Sequence, residues 1–319
     1  MVSAIVPWRS GGYAERPGPR TSAASEPDPF DMNRPPPHPA ERFSAPSRIR
    51  YESPLKDLMD RPLIRLIGQS LASVVPDFDP RRFQTTAAKG LATLELNERA
   101  MRIAQAMSEQ LPADFAELAP LLIRSFGPPL RATAGNGLAP FFYLPHSQLI
   151  ATRGVADFES AMVANYELTQ RFTAEYSIRP LLVRYRSQAL RLMKRWAKDP
   201  SPHVRRLVSE GTRPRLPWAK RLPEFQQNPQ LALPLLERLK DDPDLYVRRS
   251  VANHLGDIAK DHPKLVFDLC EEWLAQVGDA EDAPRANNRR WIVRHAVRLP
   301  FKKGEPRAIA IRAAATVRR

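Results

Sequence analysis

The amino-acid sequence predicts an all-α fold, a helical-repeat solenoid preceded by a disordered Pro-rich N-terminal tail. Three observations carry this prediction. Apolar residues recur at three- and four-residue spacing from residue 54 onward, no segment alternates as a half-buried strand does, and one string returns after 43 residues.

The tail is expected over residues 1–50. Ten of the 33 prolines fall between Pro7 and Pro46, including the run Arg34-Pro35-Pro36-Pro37-His38-Pro39. Such a composition cannot bury enough apolar area to offset its ordering entropy. The folded domain is expected over 51–305, and 306–319 as a short basic C-terminal tail.

Helical periodicity begins with Leu55, Leu58 and Met59 and continues through Leu63, Leu66, Ile67 and Leu71. The same reading holds for residues 98–109, 115–125, 157–176, 180–197, 202–210, 230–240, 244–260, 263–276 and 288–298, separated by breaks that contain Pro or Gly. Residues 140–145, with Phe141, Phe142 and Tyr143, read as a loop that packs its aromatics.

The repeat pairs Asp199-Pro200-Ser201-Pro202-His203-Val204-Arg205-Arg206 with Asp242-Pro243-Asp244-Leu245-Tyr246-Val247-Arg248-Arg249. A degenerate third copy holds Val293-Arg294-His295, 46 residues beyond Val247. This period makes the solenoid HEAT-like. In each copy Asp is expected as N-cap and Pro as the first helical residue. In the second copy Val247, Val251, Leu255 and Ile258 share the apolar face, while Arg249, Asn253, Asp257 and Lys260 share the polar one. Arg290, Arg294 and Arg298 form the corresponding stripe in the third, so stacking would line one concave surface with arginines.

Charge points to a polyanionic partner. The net charge is +14 and the isoelectric point near 10.3, and nucleic acid is the commonest such partner for a soluble protein. Between residues 171 and 221, fourteen Lys and Arg stand against Glu175, Asp199 and Glu210. The single cysteine, Cys270, excludes an internal disulfide framework, and no Cys/His cluster offers ligands for structural zinc. There is no phosphate loop, no dinucleotide fingerprint, no HExxH and no GxSxG. No metal and no cofactor are therefore expected. The N-terminus lacks the layout of a secretion signal and no apolar run has the length of a membrane span, so a cytoplasmic protein without membrane contact is expected, nucleoid-associated when bound to DNA; a monomer is expected as well, though no sequence feature reports assembly.

The most unusual local feature is Thr212-Arg213-Pro214-Arg215-Leu216-Pro217-Trp218. Its two prolines end the preceding helix and push Arg213 and Leu216 toward extended backbone. A stiff loop presenting two arginines and an indole could press on a DNA backbone and contact a base, or Trp218 could pack between repeats. The acids are open to two readings as well. Arg206 and Glu210 stand four apart, and Asp257 and Lys260 three apart, which are the spacings of ordinary helix-surface ion pairs.

These segments carry a resemblance. The string from Val204 through Trp218, then Leu239-Lys240-Asp241-Asp242-Pro243, Tyr246 through Leu255, and Asp257 through Pro263 closely resemble the AlkC-type DNA alkylation repair glycosylases. The likeness extends back through Val75-Pro76-Asp77-Phe78-Asp79, Leu111 through Phe115 and Phe172 through Pro180, and forward to Lys302-Lys303-Gly304. The resemblance implies hydrolysis of the N-glycosidic bond of cationic alkylated bases, such as 3-methylcytosine and 3-methyladenine, in double-stranded DNA, leaving an abasic site and using no cofactor. It implies catalytic roles for Asp257, Glu210, Glu175 and Trp218. For DNA contact the basic residues nominated are Arg205, Arg206, Arg213, Arg215, Arg248, Arg249, Lys260 and Arg294, of which about half are expected to face away because neighbours on a helix point roughly 100° apart. Many relatives continue into a small β-sandwich, which is not expected here, and Pro300 should end the last repeat early. The alternative is a non-catalytic helical-repeat module that binds DNA or an acidic protein through the same basic face.

Overall fold

The computed structural model describes residues 36–49, 52–217, 219–277 and 283–316. Residues 1–35, which hold most of the expected tail, and Trp218 lie outside the described residues. The described chain is all-helical, without a strand, and Pro37–Arg319 forms one unit. No helix in it is long and apolar enough to cross a membrane.

The helices run in chain order as α1 (Arg61–Ala72), α2 (Pro80–Ala88), α3 (Leu96–Ser108), α4 (Phe115–Arg124), α5 (Leu144–Arg153), α6 (Phe158–Thr169), α7 (Arg179–Arg184) and α8 (Arg186–Trp196). They continue as α9 (Pro202–Gly211), α10 (Pro223–Gln227), α11 (Leu233–Leu239), α12 (Leu245–Ile258), α13 (Pro263–Ala275), α14 (Ala283–Ala296), α15 (Arg298–Lys302) and α16 (Pro306–Ala314). Aspartates mark several starts: Asp60, Asp79, Asp114, Asp157 and Asp244 each accept a backbone N–H of the first turn.

Two rows of helices stack side by side. In one row α3 packs on α5, α5 on α7, α9 on α12 and α12 on α14. Arg179 at the start of α7 closes the remaining gap by donating to the carbonyls of Gly211 (3.2 Å) and Arg213 (2.9 Å) after α9. In the other row α4 packs on α6, α8 on α11 and α13 on α16, and the Trp273 indole of α13 donates to Glu237 of α11 at 2.6 Å. One continuous apolar core runs between the rows, from Phe43 and Met59 to Ile311 and Ala315.

The expected tail ends earlier than residue 50. His38 accepts the Ala40 N–H through Nδ1, Pro39–Arg42 forms a 3-10 turn, and Phe43 is buried with its ring centroid 6.0 Å from that of Phe142. A lone aromatic in a Pro-rich run makes no periodic pattern, yet it anchors the chain. The far end differs too. Residues 306–314 form α16, which buries Ala308 and Ile311, while Arg307 pairs with Asp268 and Glu271 of α13.

The segment read as a loop over 140–145 is a 3-10 turn, Ala139–Tyr143, that runs into α5. Every residue of α5 from Leu144 through Ala151 is buried, so its sequence has no polar face to reveal a period. The repeat's caps shift by two residues. Asp199 and Asp242 accept the N–H groups of Ser201 (2.8 Å) and Asp244 (2.9 Å), closing a turn ahead of the helix, and the N-caps proper are Ser201 and Asp244.

Candidate active site

Helix α9 ends at Gly211, where a Cβ would approach the Ile178 side chain to 2.8 Å. Only glycine fits there without displacing α7. The chain then leaves through Thr212, whose hydroxyl donates back to the Val208 carbonyl at 2.8 Å. Arg179, besides its bonds to Gly211 and Arg213, donates to the Lys220 carbonyl through Nε (2.9 Å) and Nη2 (2.6 Å). Its guanidinium thus ties both ends of the proline-rich loop to α7, and burial lowers its pKa to about 10. This scaffold aims Arg213 across at α12.

Around Arg213 the charges alternate in a chain. Thr173 donates its hydroxyl to Glu175 at 2.6 Å and accepts from Arg206 at 2.9 Å. Arg206 also reaches Glu175 at 3.2 Å and Glu210 at 3.6 Å, with its guanidinium 4.6 Å over the Tyr246 ring. Glu210 accepts from Arg213 at 2.6 Å and from the Ser250 hydroxyl at 2.6 Å. Arg213 reaches Asp257 through Nε at 2.8 Å and Nη2 at 2.7 Å. Lys260 completes the chain by donating to the second Asp257 oxygen at 2.9 Å.

Burial and charge compete at the centre of this chain. Burial alone would raise the Glu210 carboxyl, but Arg206, Arg213 and the Ser250 hydroxyl hold it below the ordinary carboxylate range. Burial likewise opposes the Arg213 guanidinium, and Glu210 and Asp257 more than restore it. Every charge therefore has a partner, as buried ions require. Nearby, Arg298 donates to Asn253 at 2.9 Å, and its pKa is lowered by burial and by Arg213, against the pull of Asp257.

These groups border an open cleft of about 290 Å³ between the proline-rich loop, α12 and α15. Arg213, Asp257, Asn253, Lys260, Arg298 and Lys302 line it. Glu210 and Glu175 do not; they stand behind Arg213 and Arg206. The structure thus brings Glu175, Glu210 and Asp257 into one network and exposes Asp257 alone of the three to the cleft. The ion pairs expected from spacing alone, Arg206 with Glu210 and Asp257 with Lys260, are present as well. The pairing and site readings describe the same atoms.

The nominated basic residues divide. Arg205 donates to the carbonyls of Asp199 (2.8 Å) and Pro200 (3.0 Å) and forms a two-nitrogen pair with Asp242 (2.6 and 3.1 Å). Arg248 repeats this one unit later, donating to Asp242 (2.9 Å) and Pro243 (2.7 Å) carbonyls beside the Trp291 ring. Both lock the Asp-Pro turn of their own repeat. Arg206 and Arg213 are likewise committed to buried carboxylates. Arg215 pairs with Asp261 at 2.7 Å. Arg249 is exposed, Arg294 is half-buried, and neither side chain has a hydrogen-bond partner among the described residues. Sequence reasoning missed Ser250, Thr173 and Tyr246 as site-building residues. Their signal was their place in the matching strings rather than any charge.

Three comparisons bear on this arrangement. A family model described as DNA alkylation repair enzyme matches residues 161–299, which contain every residue of the network. The uncharacterized YhaZ protein of Bacillus subtilis strain 168 is 34% identical over 258 residues, covering 81% of this chain and 67% of its own. The solved structure of Pseudomonas fluorescens alkylpurine DNA glycosylase AlkC, bound to DNA containing an abasic site analogue, aligns with TM-score 0.70 and 36% identity over 81% of this chain and 68% of that one. With its helical-repeat fold and its charge network inside the matched segment, the chain belongs to the AlkC-type family of DNA alkylation repair enzymes.

Proposed function

We propose that this protein is a monofunctional DNA glycosylase that releases cationic alkylated bases of the 3-methyladenine and 3-methylcytosine type from double-stranded DNA. The observation that carries the reading is Asp257: a buried carboxylate on the cleft wall whose Oδ2 is fixed by Arg213 and whose Oδ1 accepts from the part-exposed Lys260.

The chemistry needs little more. A base methylated at a ring nitrogen carries positive charge and leaves without protonation, so no general acid is required. The C1′–N bond breaks with its electron pair going to the base, which departs neutral. Positive charge builds on the sugar, and the buried Asp257 carboxylate at the cleft wall stabilises it. Water then adds to C1′ and surrenders a proton to Asp257, acting as base. Glu210 and Glu175 are positioning residues: they hold Arg213 and Arg206, and through Arg213 the carboxylate of Asp257. Lys260, Lys302, Arg298 and Arg249 supply the positive field for phosphates. Trp218, which follows Pro217 at the cleft's edge, is the group proposed to meet the lesion nucleotide.

Incubation of duplex oligonucleotides bearing single defined methylated bases, followed by alkali, tests the reading. Strand breaks at 3-methyladenine or 3-methylcytosine are expected. Salt-sensitive retention of the duplex without any breaks would establish the non-catalytic alternative instead.

A further inference from the structure

A second pocket, of about 340 Å³, opens on the same row of helices between α3, α5 and the turn before α7. Asn97, Met101, Arg102 and Gln105 of α3 line one side, Gln148 of α5 lies at its floor, and Tyr176 closes the other. Gln148 is 1% exposed, yet its Oε1 has no hydrogen-bond partner among the described residues. A buried amide oxygen left unpaired costs free energy comparable to its desolvation, and Gln148 is the one buried side chain in the lining of this pocket. From this pocket we infer a subsite that takes one uncharged nucleobase of the bound DNA, apart from the base that is released.

The lining chemistry selects that ligand. Three carboxamides, from Asn97, Gln105 and Gln148, offer donors and acceptors together, which matches the mixed edge of a heterocyclic base. Met101 and the Tyr176 ring supply apolar and stacking surface. Arg102 and Glu98 flank the mouth with opposite signs, so the pocket has no bias toward an anion or a cation. Its position fits too: Glu175 belongs to the charge network around Arg206, and the next residue, Tyr176, lines the pocket. A strand that runs from the Asp257 cleft along this row of helices can therefore place another unstacked nucleotide here. An occupant of this kind would hold the duplex open beside the lesion.

This inference rests on the proposed DNA glycosylase function, and the experiment separates the two. Duplexes carrying an abasic analogue and a single 2-aminopurine, moved one position at a time through both strands, are titrated with full-length protein and read by fluorescence. One position away from the lesion should change emission on binding. In Gln148→Leu that change should weaken about fivefold, the worth of one hydrogen bond, while duplex retention and base release at the lesion persist. Gln105→Ala, at an exposed position, provides the same readout without disturbing the core. Retention of the duplex with no responsive position, or a response unaltered in both variants, overturns the subsite and leaves the glycosylase reading standing. Absence of any duplex binding overturns both.

Discussion

Arg213 and Asp257 meet across 44 residues of sequence, with Nε and Nη2 of the guanidinium 2.8 and 2.7 Å from the one oxygen Oδ2. A carboxylate gripped at one oxygen cannot rotate, and its other oxygen is held toward the cleft. The charge of Asp257 is the quantity that matters for a cationic sugar. Asp257→Asn keeps the shape and removes the charge, so base release should fall by about 10²–10³-fold. Single-turnover kinetics measures this, and retention of DNA with an abasic analogue should be nearly unchanged. Base release at the wild-type rate in this variant would remove Asp257 from the chemistry.

Lys260 covers the free oxygen of Asp257 from a position 45% exposed in its side chain. An ion pair that open is worth roughly 0–1 kcal/mol, so a DNA phosphate can compete for the ammonium. Lys260→Gln should leave the fold intact and reduce the slope of log K against log salt by about 1. Base release should change less than in Asp257→Asn. Fluorescence anisotropy at four or five salt concentrations reads the slope. An unchanged slope would keep Lys260 on Asp257 throughout the cycle.

Legibility in the sequence divided along physical lines. Amphipathic helices such as α12 and α1 announced themselves, because one face is apolar and the other polar. Helix α5 did not, since it is buried all round, and α16 did not, since Ala308 and Ile311 are too sparse a stripe in an Ala- and Arg-rich segment. The 43-residue repeat set the polar face that carries Asp257 beside the equivalent faces of its neighbours, but it said nothing about the direction of each side chain. Arg205 and Arg206 are adjacent in sequence. One turns back to its own Asp-Pro turn and the other joins Glu175, a choice made by the helix surface packed against each. Charge composition found the basic region, and only coordinates could separate the arginines that hold the fold from those free for phosphates.

That separation is itself testable. Asp242 is 3% exposed in its side chain and its charge is met by Arg205. Arg205→Ala leaves a buried carboxylate unpaired and should cost about 3–5 kcal/mol of stability, with the salt dependence of DNA binding unchanged. Arg249→Ala should do the reverse, moving stability by no more than roughly 0.5 kcal/mol and lowering the salt slope by about 1. Urea unfolding and anisotropy on the same preparations decide it. Equal stability losses in the two variants would cancel the structural role given to Arg205.

Two histidines, His146 in α5 and His254 in α12, are wholly buried, and burial lowers both to about 3. His254 donates from Nδ1 to the Ser209 carbonyl at 3.0 Å, and its Nε2 meets no partner among the described residues, so the native ring is neutral. In the unfolded chain each ring takes a proton near pH 6.5. The unfolded state therefore binds more protons than the native state between pH 6.5 and 3, and stability declines as pH falls through that window. At pH 5 the loss should be roughly 2 kcal/mol for each histidine. Glu210, whose native carboxyl is held low, adds its own loss only below the ordinary carboxylate range. Between pH 6.5 and 5 the slope of unfolding free energy against pH is thus set by the histidines. His254→Gln keeps a donor for Ser209 and cannot titrate, so its slope should be shallower than wild type by about 1.4 kcal/mol per pH unit. Urea unfolding at half-unit pH steps measures both slopes, and parallel curves would mean that His254 is already protonated in the native protein.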